Sequence, residues 1–325
     1  MIPTPDDVHR AAALIVPHIV RTPTLRSAAL DERTGTTAFI KAEPLQRTGS
    51  FKLRGATNAL HRLPEAVRRH GVVTYSSGNH GQAIACAAAA LGIGATIVMP
   101  ADAPSIKREA TAAWGATIVP FDRRTEDRAA IGQDIAARTG ATLIPPFEHP
   151  DVIAGQGTLA LELVADARAA GAELDFILVC TGGGGLTAGC ALALQSVSPM
   201  TRLIAVEPEG WDDTGRSLAA GTLITNDGTG SPLCDALLAM TPGALTFSIN
   251  QRLLAGAVAV TDAAVLRAIG FAARHLKLVV EPGGAVALAA LLGEALPLAG
   301  LTVGVILSGG NIDPAIFARA LTDPD

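Results

Sequence analysis

Lys52 stands between Phe51 and Leu53, in the run Ser50-Phe51-Lys52-Leu53-Arg54-Gly55-Ala56. A lysine held against apolar neighbours has a depressed pKa, because desolvation disfavours its charged form. It is then partly a free amine near neutral pH, the state that forms a Schiff base with an aldehyde cofactor. Taken alone, the run is better read as a surface lysine opening a helix from Lys52 to about Leu63. Three glycine-rich loops further along the chain shift that balance.

The first loop, Ser76-Ser77-Gly78-Asn79-His80-Gly81, follows an apolar strand and opens a helix. Backbone N–H groups at a helix N-terminus attract anions, and the hydroxyls and amide add donors, so a carboxylate is the natural guest. A turn with a serine or asparagine cap explains part of this composition, but not glycine on both sides of Asn79-His80. The second, Thr181-Gly182-Gly183-Gly184-Gly185-Leu186, lets the backbone wrap closely around a tetrahedral anion. It is neither a Walker loop nor a dinucleotide fingerprint, and a phosphate monoester fits it better. The third, Ser308-Gly309-Gly310-Asn311, lies at the carboxyl end of the last apolar strand, where open α/β sheets bind ligands. By itself it is equally a tight turn. A lysine amine, a phosphate cradle, a carboxylate loop and a hydroxyl together suit an amino-acid adduct of pyridoxal phosphate.

The elements that must position these residues are short apolar strands alternating with helices. Strands are expected at Ala38–Glu43, Val72–Tyr75, Ala95–Met99, Ala116–Phe121, Ala141–Ile144, Asp175–Cys180, Arg202–Glu207 and Thr302–Leu307. Helices are expected over 5–20, Gly81–Leu91, Pro104–Trp114, Glu126–Arg138, Asp151–Ala170, Leu186–Gln195, Asp262–Leu276 and Gly284–Leu292. This alternation predicts parallel sheets covered by helices. The expected fold is α/β, with two open parallel-sheet domains and the cofactor in the cleft between them. A small domain, 69–148, would be inserted into a large one formed by 1–68 and 149–325.

The chain has 325 residues, 49% hydrophobic and 17% charged, so a large buried core is expected and disorder is not. The net charge of -5, without a basic block, argues against nucleic acid. The longest apolar runs are too short to span a bilayer, and the N-terminus lacks an apolar signal core, so a soluble cytoplasmic protein is expected. Cys86, Cys180, Cys190 and Cys234 form no CxxC pair and read as buried reduced thiols.

The three loops, the Lys52 run and Val152-Ile153-Ala154-Gly155-Gln156-Gly157-Thr158 together resemble the serine/threonine dehydratase and serine racemase family, the fold-type II pyridoxal-phosphate enzymes. The motifs occur in family order over nearly the whole chain. The resemblance implies that Lys52 carries the cofactor as a Schiff base and removes the α-proton. It implies that Phe51 packs near the ring, Asn79 bonds its hydroxyl and Ser308 faces its nitrogen. Gly182, Gly183, Gly184, Gly185 and Leu186 would hold the phosphate, with Glu281 near the ring. Ser76, Ser77, Asn79 and His80 would surround the substrate carboxylate, and Ser77 would be either a second base for racemisation or a carboxylate donor only.

Glu207, the Trp211 carbonyl and Asp213 resemble the family's divalent-cation site, for Mg²⁺ or Ca²⁺; an acidic solvated turn is the other reading. A homodimer is implied by the resemblance alone. The chain departs from the family at Asp235-Ala236, where relatives have Asp-Gly. The expected activity is elimination from L-threonine or L-serine to a 2-oxo acid and ammonia. Serine racemisation is an alternative. 3-Hydroxyaspartate elimination ranks lower, because sequence places no cation for a second carboxylate. A non-catalytic amino-acid-binding protein would lack Lys52.

Overall fold

The structure, a computed structural model, describes residues 1–76, 78–103, 105–293 and 296–322, with backbone only for Ser105 and Ile106. In chain order the strands are β1 (Thr24–Leu25), β2 (Thr37–Ala42), β3 (Val72–Tyr75), β4 (Ala95–Pro100), β5 (Thr117–Phe121), β6 (Thr142–Leu143), β7 (Phe176–Cys180), β8 (Arg202–Pro208), β9 (Gly256–Val260) and β10 (Thr302–Leu307). They form a four-stranded sheet in the order β5-β4-β3-β6 and a six-stranded sheet in the order β1-β2-β10-β7-β8-β9. The smaller sheet thus draws on one continuous segment. The larger uses strands from both sides of it, with β10 aligned along β2 from Thr302 opposite Thr37 to Leu307 opposite Ala42. All pairings are parallel except β1 with β2.

Parallel strands covered on both faces are apolar throughout, and β7 shows why. Leu178 and Cys180 point into the core shared with helices Asp262–Phe271 and Pro282–Leu292. Ile177 and Val179 point to the other face, under helices Pro5–Ile15, Pro150–Ala169 and Gly185–Val197. The Gly155-Gln156-Gly157 motif proves to be scaffold. A Cβ on Gly157 would lie 2.3 Å from the Gly189 carbonyl, and one on Gly155 would lie 2.6 Å from the Gly55 Cα. Both contacts let the long helix Pro150–Ala169 approach its neighbours closely. Gln156 Oε1 accepts from the Gly55 N–H at 3.1 Å, inside that same contact.

The helix Lys52–Arg62 is held from the opposite side by ions. Arg54 is fully buried. It donates to Glu43 Oε1 and Oε2, both at 2.9 Å, and to Glu162 at 2.8 and 2.9 Å. Lys41, also buried, adds a 2.7 Å contact to Glu162. Burial opposes the charge on Arg54, and the two carboxylates overcome it, raising its pKa further. Leu53, Ala56 and Leu60 of the same helix share a core with Val72, Ala83 and Ile84, so this helix also packs against the layer of the smaller sheet.

Several boundaries differ from the sequence expectation. The first helix ends at Ile15 and continues as one 3-10 turn, Val16–His18, because Pro17 has no N–H to donate. The helix expected to reach Leu276 is α-helical only to Phe271. It continues as a π-helix, Ala272–Leu276, which Lys277 ends at φ 60°. Strand β9, Gly-Ala-Val-Ala-Val, and the helix Ala244–Leu253 lie outside the sequence expectation. Glycine and alanine weaken the strand signal of β9.

Candidate active site

The carboxyl ends of β3, β7 and β10 converge on one cavity. Phe51, Lys52, Ser76, Asn79, His80, the four glycines Gly182 to Gly185, Leu186 and Ser308 all line it. Segments far apart in sequence meet here because β10 lies between β2 and β7. The Phe51 N–H donates to the Ser308 carbonyl at 3.0 Å, and Ser50 bridges to Gly309. The turn that carries Lys52 is thereby stitched to the last loop.

Lys52 Nζ donates to the Pro146 carbonyl at 2.9 Å and sits 5.2 Å from the centre of the Phe51 ring. Burial pushes its pKa down to about 8, against the opposing pull of Glu281. A minor fraction is therefore free amine near neutrality, far more than for an ordinary lysine. His80 is buried, with Nε2 at 3.1 Å from the Ile144 carbonyl. Burial, and then the charge of Lys52, drive its pKa to about 3, so the ring is neutral. A carbonyl accepts only from N–H, which places the proton on Nε2 and leaves Nδ1 as a buried acceptor without a partner.

The glycine loop is fixed by its neighbours. Thr246 Oγ1 donates to the Gly183 carbonyl at 2.7 Å, and Asn250 Nδ2 to the Gly184 carbonyl at 3.2 Å. Gly184 has φ 86°, a conformation that favours glycine. A Cβ on Gly183 would fall 2.4 Å from the Phe147 ring. No side chain caps the helix Gly185–Val197, so its first N–H groups face the cavity end without acceptors. Among the described residues, no side chain caps the start of the helix Asn79–Leu91 either. A phosphate ester and a carboxylate fit these two termini.

Ser308 lines the cavity beside Cys180. The Cys180 thiol donates to the Gly284 and Ile306 carbonyls, and burial raises its pKa to about 11, so it is no nucleophile. All four cysteines are free and buried. Glu281 stands one step behind the cavity wall. Its Oε1 accepts from Asn79 Nδ2 at 2.5 Å, and its Oε2 is buried without a partner. Burial first, then Asp235, raise its pKa to about 7. Ser76 Oγ accepts from the Gly78 N–H at 3.2 Å. Ser77 lies outside the described residues.

Sequence reasoning missed two cations. Lys107 and Arg128 both line the cavity, reaching it from helices Ser105–Ala112 and Arg128–Thr139. Lys107 pairs with Asp235 across the cavity, and Arg128 stands 5.5 Å over the Tyr75 ring. Neither belongs to a motif, so only the closeness of the two sheets could reveal them. Ala236 also lines the cavity, so its methyl borders that space.

The acidic turn is not solvated. Glu207 and Asp213 are buried, and burial raises their pKa values to about 8 and about 6. Glu207 accepts from the N–H groups of Thr214 and Gly215 at 2.9 and 2.8 Å. Asp213 Oδ1 accepts from Asn226 at 2.7 Å, while Oδ2 has no partner. Trp211 is buried and donates from Nε1 to the Ser231 carbonyl at 2.9 Å. Among the described residues, no three His, Cys, Asp or Glu side chains form a metal-binding group, so any ion here would rest on two carboxylates and carbonyl oxygen.

Residues 15–309 match the family model for pyridoxal-phosphate dependent enzymes. The chain belongs to this family. It is 45% identical over 315 residues to an L-threo-3-hydroxyaspartate ammonia-lyase of Pseudomonas sp, covering 97% of each chain. It is 40% identical over 322 residues to a serine racemase of Schizosaccharomyces pombe, covering 99% of this chain and 98% of that one. Its structure resembles maize serine racemase with TM-score 0.92 at 36% identity, over 99% of this chain and 97% of the other. It also resembles a T.th. threonine deaminase with TM-score 0.91 at 40% identity, over 96% of this chain and 99% of the other. As a fold-type II member of this pyridoxal-phosphate family, the chain uses pyridoxal 5'-phosphate, and its relatives include ammonia-lyases and racemases. The uncapped glycine cradle and the depressed Lys52 amine fit that cofactor. No helix among the described residues is long and apolar enough to cross a membrane.

Proposed function

We propose that this protein is an ammonia-lyase that converts L-threo-3-hydroxyaspartate to its 2-oxo diacid and ammonia, in preference to serine or threonine. The observation that carries this reading is the pair of cations, Lys107 and Arg128, in the cavity that holds Lys52. A monocarboxylic substrate needs one anion site, and the helix Asn79–Leu91 already offers it at its uncapped start. Two further cations suit a second carboxylate. The relatives named for 3-hydroxyaspartate support the same reading.

In this reading Gly182 to Gly185 and Leu186 hold the cofactor phosphate through N–H groups, while Asn79 and Ser308 meet its ring and Phe51 flanks it. When bound, pyridoxal phosphate supplies an electron sink for charge developing at Cα. The Lys52 amine takes the α-proton, for which its lowered pKa suits it. Ser76 and the first turn of helix Asn79–Leu91 orient the α-carboxylate. Neutral His80 adds no charge there, and its unprotonated Nδ1 cannot donate to the carboxylate. Lys107 and Arg128 hold the β-carboxylate, and the β-hydroxyl leaves with a proton as water. The resulting enamine tautomerises to an imine, which takes up one water and releases ammonia, so that net the hydroxy-amino acid yields a 2-oxo acid and ammonia. Ser77 is the proposed second base for a side reaction that racemises serine, in line with the relatives named serine racemase.

The test is oxo-acid formation by the holoenzyme from L-threo-3-hydroxyaspartate, L-serine and L-threonine, supplied separately. Lys107→Ala and Arg128→Ala should each lower kcat/KM for the dicarboxylate on the order of 10- to 100-fold and leave serine nearly unchanged. Equal losses on serine, or a wild-type preference for threonine, would overturn the substrate assignment.

We propose further that Glu207, the Trp211 carbonyl and Asp213 bind a structural Mg²⁺ or Ca²⁺. Two buried carboxylates, one with a partnerless oxygen, favour this over a bare turn.

A further inference from the structure

Asn311 belongs to the last glycine-rich loop, yet nothing in the proposed reaction uses it. Its side-chain amide makes three contacts. Nδ2 lies 2.8 Å from Asn79 Oδ1, 2.9 Å from the Thr48 carbonyl and 3.3 Å from Gln82 Oε1. All three are acceptors, and the backbone carbonyl of Thr48 can be nothing else, so the NH₂ end of Asn311 is fixed on this side. The residue is also tightly seated, because a Cβ on Gly49 would lie 2.4 Å from Asn311 Oδ1.

The consequence falls on Asn79. With its Oδ1 accepting from Asn311, its NH₂ end must face the other way, where it donates to Glu281 Oε1 at 2.5 Å. An NH₂ group has two hydrogens. One serves Glu281, and the second remains for the cavity that Asn79 lines. Glu281 by itself does not enforce this orientation. A carboxylate requires an N–H from Asn79, but a protonated carboxyl donates equally well to a carbonyl. The charged groups that act on Glu281 are Asp235, Lys107 and Lys52, and its pKa of about 7 puts both protonation states within the working range.

We infer that Asn311 is a positioning residue that locks the Asn79 side-chain amide, so that an N–H rather than a carbonyl faces the cofactor ring. This rests on the reading that Asn79 meets the ring. Replacing Asn311 by aspartate keeps its shape and reverses its polarity. The aspartate would draw the Asn79 N–H toward itself and turn the carbonyl toward the cavity.

The test uses purified apoprotein titrated with pyridoxal phosphate, followed by visible absorbance and fluorescence across the neutral pH range. Thermal melting of each apoprotein checks folding. Asn311→Asp should weaken cofactor binding by roughly 5- to 30-fold. Its visible band should move as it does in Asn79→Ala, and the double variant should show no further change. Asn311→Ser, which keeps a donor and loses the shape, should retain the wild-type band and most of the affinity. Wild-type spectra for Asn311→Asp alongside a shifted Asn79→Ala would overturn the lock alone. Unshifted spectra for Asn79→Ala would overturn the ring contact on which it rests, and the inference with it. Additive shifts in the double variant would show that the two residues act independently, which also overturns the lock.

Discussion

At the scale of single residues, chemistry follows from what surrounds a side chain. Lys52 has an ordinary sequence and an extraordinary setting, since burial brings its pKa from 10.5 to about 8. The sign is direct: a lowered pKa means the reactive amine grows in as pH rises through about 8, well below the ordinary lysine range. The rate at which apoprotein captures pyridoxal phosphate should therefore rise with a midpoint near that value. A midpoint near that of free lysine would show that Lys52 is solvated. The side chains of Lys107 and Arg128 belong to this scale too. Lys107 must leave Asp235 to meet a substrate carboxylate, so Asp235→Asn should lower KM for 3-hydroxyaspartate by a few-fold at low salt, as initial rates would show.

At the scale of elements, rigid packing holds the reactive groups in place. The glycine loop stands against Phe147, Thr246 and Asn250, so Gly183→Ala must push its methyl into the Phe147 ring. That overpacking costs about 1–3 kcal/mol. A cofactor titration should show affinity falling tenfold or more, with the apoprotein still folded. The lysine helix depends on Arg54, clamped by Glu43 and Glu162 with no exposure to water. Arg54→Met leaves the buried Glu43 carboxylate without that partner and leaves the partly buried Glu162 with Lys41 alone, a loss of about 3–5 kcal/mol. Denaturant unfolding should report it as a shifted midpoint. Arg54 was visible in the sequence as part of the Lys52 run, but its partners come from 43 and 162 and only packing brings them together.

At the scale of the whole molecule, two sheets bring the small segment's helices over the large sheet's carboxyl ends. The cation proposal belongs here, because Glu207 lies next to the last residue of β8 and Asp213 opens the helix that follows it. Mg²⁺ should raise the melting temperature of the protein at neutral pH, and Asp213→Asn should abolish that rise. An unchanged melting curve would leave a buried acidic pair and no ion.

The sequence alone determined most of what is local. Alternating apolar strands and helices specified parallel sheets, because a strand buried on both faces must be apolar throughout. Glycine runs after strands marked loops that line the cavity, where a backbone free of Cβ can approach a ligand closely. Lys52, Asn79, Gly182 to Gly185 and Ser308, singled out by their motifs, all line that cavity. The tertiary structure alone decided what depends on juxtaposition. Lys107 and Arg128 enter the cavity from helices of the other sheet, and Asn311 meets Asn79 across 232 positions of chain. No local pattern encodes such pairs, since hydrogen bonds and ion pairs depend on distance in space and carry no signature of separation along the chain.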